Sequence, residues 1–169
     1  MVIIMVEIRY LLPEDDLLEI SSVYEKSWKY AYKGMIPQSY LDSIPEGCWA
    51  DNIHKDGRRN LVMVENGKIT GTSGFGRSRW EKYSDHGEIV SIYLLPEYIA
   101  KGYGARLLRA VVEELGKFGF HHILLWVLEE NLRARRFYEK NGFVQSKEYR
   151  DDMIGGEKVR EVMYLCRID

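Results

Sequence analysis

Tyr93 to Leu108 reads Tyr-Leu-Leu-Pro-Glu-Tyr-Ile-Ala-Lys-Gly-Tyr-Gly-Ala-Arg-Leu-Leu: an apolar run, a loop with Lys101, Gly102 and Gly104, then an amphipathic segment. The first turn of a helix carries backbone N–H groups without an intrahelical partner, and glycines beside them let an anion approach the main chain. That chemistry suits a pyrophosphate. A Gly-x-Gly also occurs wherever a helix packs closely on a strand, so the loop alone decides little. Leu107 stands where the dinucleotide fingerprint would place its third glycine, and no Gly-Lys-Ser/Thr follows. Neither common nucleotide loop fits, and a nucleotide-binding module would rest on the glycines alone.

A second segment narrows the reading. Asn131-Leu-Arg-Ala-Arg-Arg-Phe-Tyr-Glu-Lys-Asn-Gly-Phe143 has a helix N-cap residue at its start and an Asn-Gly helix stop near its end. Taken alone, Tyr138 is a core aromatic there. Together, the two segments resemble the signatures of the GNAT acetyltransferases. Ile99-Ala-Lys-Gly-Tyr-Gly104 is similar to that family's coenzyme-A pyrophosphate motif Gln/Arg-x-x-Gly-x-Gly/Ala. Asn131 to Phe143 is similar to N-x-x-A-x-x-x-Y-x-x-x-G-F at every named position. The resemblance covers about residues 85–145. Ile99 departs from the usual Gln or Arg; since backbone N–H groups hold the phosphates in this family, the departure implies at most a weaker hold on the coenzyme.

The resemblance implies an acetyl-CoA-dependent N-acetyltransferase that moves acetyl to a primary amine by direct attack. The amine must lose its proton, an oxyanion must be stabilised and the departing thiolate needs a proton. The histone-acetyltransferase branch has a glutamate as base at the position of Glu88, which also reads as a solvated strand-end carboxylate or a salt-bridge partner of Arg77 or Arg79. The ribosomal-protein branch uses a glutamate where Trp126 stands, so that arrangement is absent here. Tyr138 is implied as the general acid at the coenzyme sulfur. Implied coenzyme contacts are the backbone of Ile92, Tyr93 and Leu94, the loop Ile99, Ala100, Lys101, Gly102, Tyr103, Gly104 and Ala105, and Asn131 with Tyr138. The family further implies a splay between strands 88–95 and 122–128, and frequent dimerisation through C-terminal strands, which the apolar stretch Val159 to Leu165 would permit.

These groups need a scaffold. The expected order is β-α-α-β-β-β-α-β-α-β-β: an α/β (α+β) fold, one domain over 1–169, with a mixed twisted sheet of about seven strands and helices on both faces. Met1 to Tyr10 reads as the first strand, since it has no basic leader and Glu7 interrupts it. Pro13 to Asp16 reads as the first turn of a helix that Gly34 stops. A shorter, irregular helix fills 37–54. Leu61–Glu65 and Lys68–Phe75 flank Asn66-Gly67, a hairpin signal. One firm βαβ unit joins strand 88–95, helix 102–117 and strand 122–128. A helix over Asn131–Lys140 follows, and Phe143-Val144 and Val159–Arg167 supply the last strands around Gly155-Gly156.

Composition excludes other classes. With 169 residues, 46% hydrophobic and 30% charged, the chain can bury a core without staples. No run approaches the ~20 apolar residues of a membrane span. Net charge is −2, with both signs spread along the chain, which gives no footprint for nucleic acid or anionic lipid. Cys48 and Cys166 are too few for a disulfide framework, so a reducing cytoplasm is the expected compartment. Neither falls in a signature, which argues against an acyl-enzyme. The four histidines have no carboxylate at metal-ligand spacing, and no metal is expected.

The acceptor pocket is expected among aromatics: Trp28, Tyr32 and Trp80 first, with Tyr30, Tyr40, Trp49, Tyr83 and Tyr149 near them. Glu25, Asp42, Glu46 and Asp51 are the carboxylates available for a cationic amine. Ser27 to Pro37 is similar to a branch that includes polyamine acetyltransferases, so a polyamine-like molecule or a peptide amine is the expected acceptor. The competing reading is an acyl-CoA-binding regulatory module that keeps the fold without turnover.

Overall fold

The computed structural model describes residues 4–169; the part of the opening strand assigned to residues 1–3 lies outside them. Seven strands form one sheet in the order β1-β2-β3-β4-β5-β7-β6: β1 (Val6–Tyr10), β2 (Arg59–Glu65), β3 (Lys68–Arg77), β4 (Gly87–Leu94), β5 (His122–Leu128), β6 (Val144–Ile154) and β7 (Glu157–Arg167). Only β4 and β5 run parallel; every other neighbouring pair is antiparallel. The parallel pair needs a crossover, which α3 (Tyr103–Lys117) provides. The remaining helices are α1 (Leu17–Ala31), α2 (Gln38–Ser43) and α4 (Leu132–Lys140).

Each helix packs on the sheet or its neighbours through apolar side chains. Leu107, Leu108, Val111 and Leu115 of α3 lie under the sheet with Phe75, Ile89, Ile123, Leu125 and Val127, and Tyr138 of α4 joins them. Ile20, Val23 and Tyr24 of α1 cover the opposite face against Val62, Val64, Ile69 and Leu95. Leu41 of α2 packs with Ile36 and Leu128. Each fully buried aliphatic side chain contributes about 1.5–3 kcal/mol. The predicted mixed sheet with helices on both faces is what the chain forms.

Local differences have local causes. α1 starts at Leu17, not at Pro13, because Asp16 takes the N-cap and accepts from the Leu18 N–H at 2.9 Å. Asp15 is drawn off to Arg9, which it meets at 2.7 and 2.9 Å. The irregular helix over 37–54 resolves into α2 and a 3-10 turn at Ala50–Asn52. Asn66 and Gly67 both have positive φ (51° and 78°), as the tight hairpin requires. The largest difference is β6, which runs eleven residues where only its first was read as strand. It is the sheet's outer edge, its side chains mostly exposed, so no apolar run marks it. Among the described residues no helix is long and apolar enough to cross a membrane.

Candidate active site

The site begins where the sheet comes apart. β4 and β5 pair at only three positions, Gly87 with Ile123, Glu88 with Leu124 and Ile89 with Leu125. Beyond Ile89 the strands separate. Opposite Gly74 and Phe75, β4 carries an extra residue, Val90, which has no place in the β3 ladder. The Leu95 N–H donates to the Thr70 carbonyl at 2.8 Å. Alternation along an antiparallel ladder then turns the Tyr93 backbone toward Thr72 and those of Ile92 and Leu94 into the gap. The Leu94 carbonyl accepts from Ser27 Oγ of α1.

The gap opens into a cavity of about 900 Å³. Of the residues singled out from sequence, Glu88, Ile92, Tyr93, Leu94, Ile99, Ala100, Gly102, Gly104, Ala105, Asn131, Tyr138, Trp28 and Tyr32 line it. Lys101, Tyr103 and Trp80 do not. Lys101 is exposed, Tyr103 packs against Tyr98, and Trp80 lies against the lining residue Trp126 with ring centroids 5.2 Å apart. Of the outer aromatics Trp49 lines the cavity, whereas Tyr30, Tyr40 and Tyr149 are exposed.

At one end, Gly102 (φ 85°) turns the chain into α3 and no side chain caps the helix. The first intrahelical bond runs from the Arg106 N–H to the Gly102 carbonyl at 3.3 Å, which leaves the N–H groups of Tyr103, Gly104 and Ala105 for a ligand. Ala100 also takes positive φ (61°), a conformation that costs an alanine about 1–2 kcal/mol. Arg133, Arg136 and Lys140 of α4 line the same cavity and add positive charge. Asn131 caps α4, its Oδ1 accepting from the Ala134 N–H at 3.2 Å.

At the middle, Tyr138 is 9% exposed, and its hydroxyl has no hydrogen-bond partner among the described residues. Burial, and then the neighbouring Tyr93, push its pKa well above the ordinary phenol range. Tyr32 is pushed up to about 12, chiefly by burial. Tyr93 is raised further by burial and by Tyr32, while its hydroxyl accepts from Trp28 Nε1 at 3.1 Å. A cluster of protonated phenols therefore surrounds the gap.

At the other end, Glu88 is 1% exposed and held by Arg79. One carboxylate oxygen accepts from Arg79 Nη2 at 2.7 Å; the other accepts from the Arg79 backbone N–H at 2.9 Å and from Nε at 3.3 Å. Of the two arginines named as alternative partners, Arg79 is the one engaged; Arg77 donates to the Ser84 carbonyl. Glu161 of β7 pairs with Arg150 of β6 on the same wall. The four carboxylates expected to receive a cationic amine are elsewhere: Glu25, Asp42, Glu46 and Asp51 do not line the cavity. Glu25 instead accepts from Ser21 Oγ and the Gly47 N–H, and Asp42 from Gln38. Arg58, Arg79, Arg150, Glu161 and the indole of Trp126 are lining residues that sequence reading did not place in the pocket.

Among the described residues no three His, Cys, Asp or Glu side chains converge to hold a metal ion. The arrangement offers an extended strand edge, a helix start with unpaired N–H groups, a phenol without a partner among the described residues and a carboxylate, all on one cavity.

Known proteins resemble this chain in both sequence and fold. It is 30% identical over 163 residues to a spermidine N(1)-acetyltransferase of Thermoplasma acidophilum, covering 94% of this chain and 98% of that one. It is 30% identical over 131 residues to the L-amino acid N-acyltransferase MnaT of Escherichia coli, covering 76% and 74%. The PaiA N-acetyltransferase of Thermoplasma acidophilum, solved in complex with coenzyme A, shares the fold with a TM-score of 0.74 at 23% identity, over 97% of this chain and 99% of that one. The model of the acetyltransferase (GNAT) family matches residues 20–143, from α1 through both sequence signatures, and the chain belongs to that family.

Proposed function

We propose that this chain transfers acetyl from acetyl-CoA to a primary amine, by direct attack while both substrates are bound. The observation that carries the reading is the three-pair ladder of β4 and β5, which opens a gap running from the start of α3 to Glu88, with Tyr138 on its wall. The pantetheine arm lies along the edge of Ile92 and Leu94 as an added strand would. The pyrophosphate sits at the N–H groups of Tyr103 to Ala105, with Arg133, Arg136 and Lys140 balancing its charge. Asn131 uses its Oδ1 as a helix cap and keeps its amide N–H groups for the arm.

An alkyl ammonium has a pKa near ~10 and must shed a proton before it attacks. Glu88 takes that proton through water, because its own oxygens are buried and largely occupied by Arg79. A main-chain N–H of β4, Ile92's being turned into the gap, meets the oxyanion. Tyr138 donates to the sulfur as the thioester breaks. Its raised pKa keeps it protonated, and full transfer to a thiolate of pKa ~8.5 is uphill by more than about 2 kcal/mol. It therefore stabilises the leaving group as a hydrogen-bond donor, and the final proton comes from solvent. Neither Cys48 nor Cys166 lines the cavity, which supports a route without an acyl-enzyme.

The test is thiol release from acetyl-CoA with a panel of amines, beside calorimetric binding of acetyl-CoA. Turnover with at least one amine supports the reading. Binding of acetyl-CoA without turnover on any amine would favour a regulatory module, and absence of binding would remove both.

A further inference from the structure

Beyond Glu88, the far wall of the cavity has hydrogen-bond donors to spare and no free carboxylate. Its two glutamates are each taken by an arginine that lines the same wall, Glu88 by Arg79 and Glu161 by Arg150. Arg58 is a third arginine there, paired at 3.2 Å with Asp56, which does not line the cavity. Three guanidinium groups face two carboxylates. A polyamine carries several positive charges and needs unpaired carboxylates, and this wall supplies none.

Part of the aromatic surface is taken as well. The Arg150 guanidinium stands 4.8 Å from the Trp80 ring centroid and 4.7 Å from that of Trp126. The chain's own cation thus occupies an indole face of Trp126, which lines the cavity, and of Trp80 behind it, whereas Trp28, Tyr32 and Trp49 line the cavity without such a cation. Arg150 meets Glu161 through Nε; its two Nη groups have no partner among the described residues. The Nε1 atoms of Trp80 and Trp126 are buried beside it and also lack a partner. The indole N–H groups are closed off from the cavity, so the donors open to a ligand are the two Nη groups of Arg150, and these favour a ligand that brings acceptor atoms to them.

We propose that the acceptor is a small α-amino acid, an amine with a free carboxylate next to it, and that Arg150, braced between Trp80 and Trp126, binds that carboxylate. The inference rests on the acetyl-transfer reading above. The Nη pair presents two parallel donors, the fork that matches a carboxylate. The neighbouring ion pair then lies at the amino end, where Glu88 serves the proton.

The experiment compares free α-amino acids with their carboxamides and with spermidine in the thiol-release assay, for wild type, Arg150→Gln and Arg150→Lys. A carboxamide keeps the amine and side chain and loses only the charge. The expected result is a kcat/KM about 10–100-fold higher for at least one amino acid than for its carboxamide, with spermidine poorer still. Arg150→Gln should raise KM for the amino acid at least about tenfold more than it raises that for the carboxamide. Arg150→Lys keeps a cation beside Glu161, so it retains the fold if Gln does not, and it should show the same split in weaker form. Equal use of the carboxamide, better use of spermidine, or an equal loss on both acceptors in the Lys variant overturns the inference while acetyl transfer stands. Loss of acetyl-CoA binding in the wild type would overturn the acetyl-transfer reading, and this inference with it.

Discussion

Arg79 grips Glu88 with main chain and side chain at once: its backbone N–H lies 2.9 Å from one carboxylate oxygen and its Nη2 2.7 Å from the other. The two residues are nine apart, one just past the end of β3 and one at the start of β4, so the contact closes the loop between those strands. Any test of Glu88 must separate this structural task from a catalytic one.

Glu88→Gln should lower kcat by about 10²–10⁴-fold with acetyl-CoA affinity unchanged. The stability loss should fall short of the ~3–5 kcal/mol of a fully buried broken pair, because 37% of the Arg79 side chain is exposed. The double variant Glu88→Gln/Arg79→Gln recovers stability in urea melts without recovering kcat. Recovery of both would leave Glu88 a purely structural residue.

Tyr138→Phe offers a cleaner separation. The hydroxyl has no partner among the described residues, so its removal breaks no internal hydrogen bond. The variant should melt within about 0.5 kcal/mol of wild type, bind acetyl-CoA normally and lose ~10-fold or more in kcat. Stopped-flow or steady-state thiol release, beside a urea titration, checks both halves.

Gly102→Ala should act on the coenzyme. At φ 85° an alanine is strained, although nothing lies within 4 Å of its methyl group. The cost is about 1–2 kcal/mol, released by shifting the loop that feeds α3. Acetyl-CoA binding by calorimetry should weaken several-fold with kcat at saturation nearly unchanged. Ala100→Gly is the control: it relieves a residue already at φ 61°, so stability should hold or rise.

Alkaline pH should unfold the chain early. Tyr32 ionises near 10 when unfolded and at about 12 when folded, and burial likewise raises Tyr24, Tyr93 and Tyr138. Above pH ~10 the unfolded state binds fewer protons, so stability falls as pH rises toward the folded values, at about 1.4 kcal/mol per pH unit for each tyrosine. Urea melts from pH 8 to 11.5 should show the decline, and Tyr32→Phe should flatten it. Equal slopes in both proteins would remove Tyr32 from the set.

Much of the frame was legible because single segments carried it. The α3 and β5 segments announce themselves by apolar spacing, the β2–β3 turn by Asn66-Gly67, and the loop and α4 by two signatures. β6 was not legible: as an edge strand it is rich in charged and polar residues, and within the sheet it pairs with β7 alone. The pocket wall was hidden for the same reason. Arg150 meets Glu161 only through the β6–β7 register, and Trp126 meets Trp80 only after β5 has been laid beside β4. The sequence also names Glu88 as a candidate base with Arg77 or Arg79 as alternative partners, but the grip of Arg79 depends on how the β3–β4 loop folds back.

The three-rung join between β4 and β5 divides the sheet into two plates, β1–β4 on one side and β5, β7 and β6 on the other. Few rungs make a weak seam, and above it the two strands share no ladder bonds. A thioester lying in that seam would be mortar between the plates, replacing rungs that the chain omits. Loading should therefore slow amide exchange on both sides of the join at once, and unloading must wait for the plates to part. On the proposed function, the omission that admits the substrate would then also set how fast the spent coenzyme leaves.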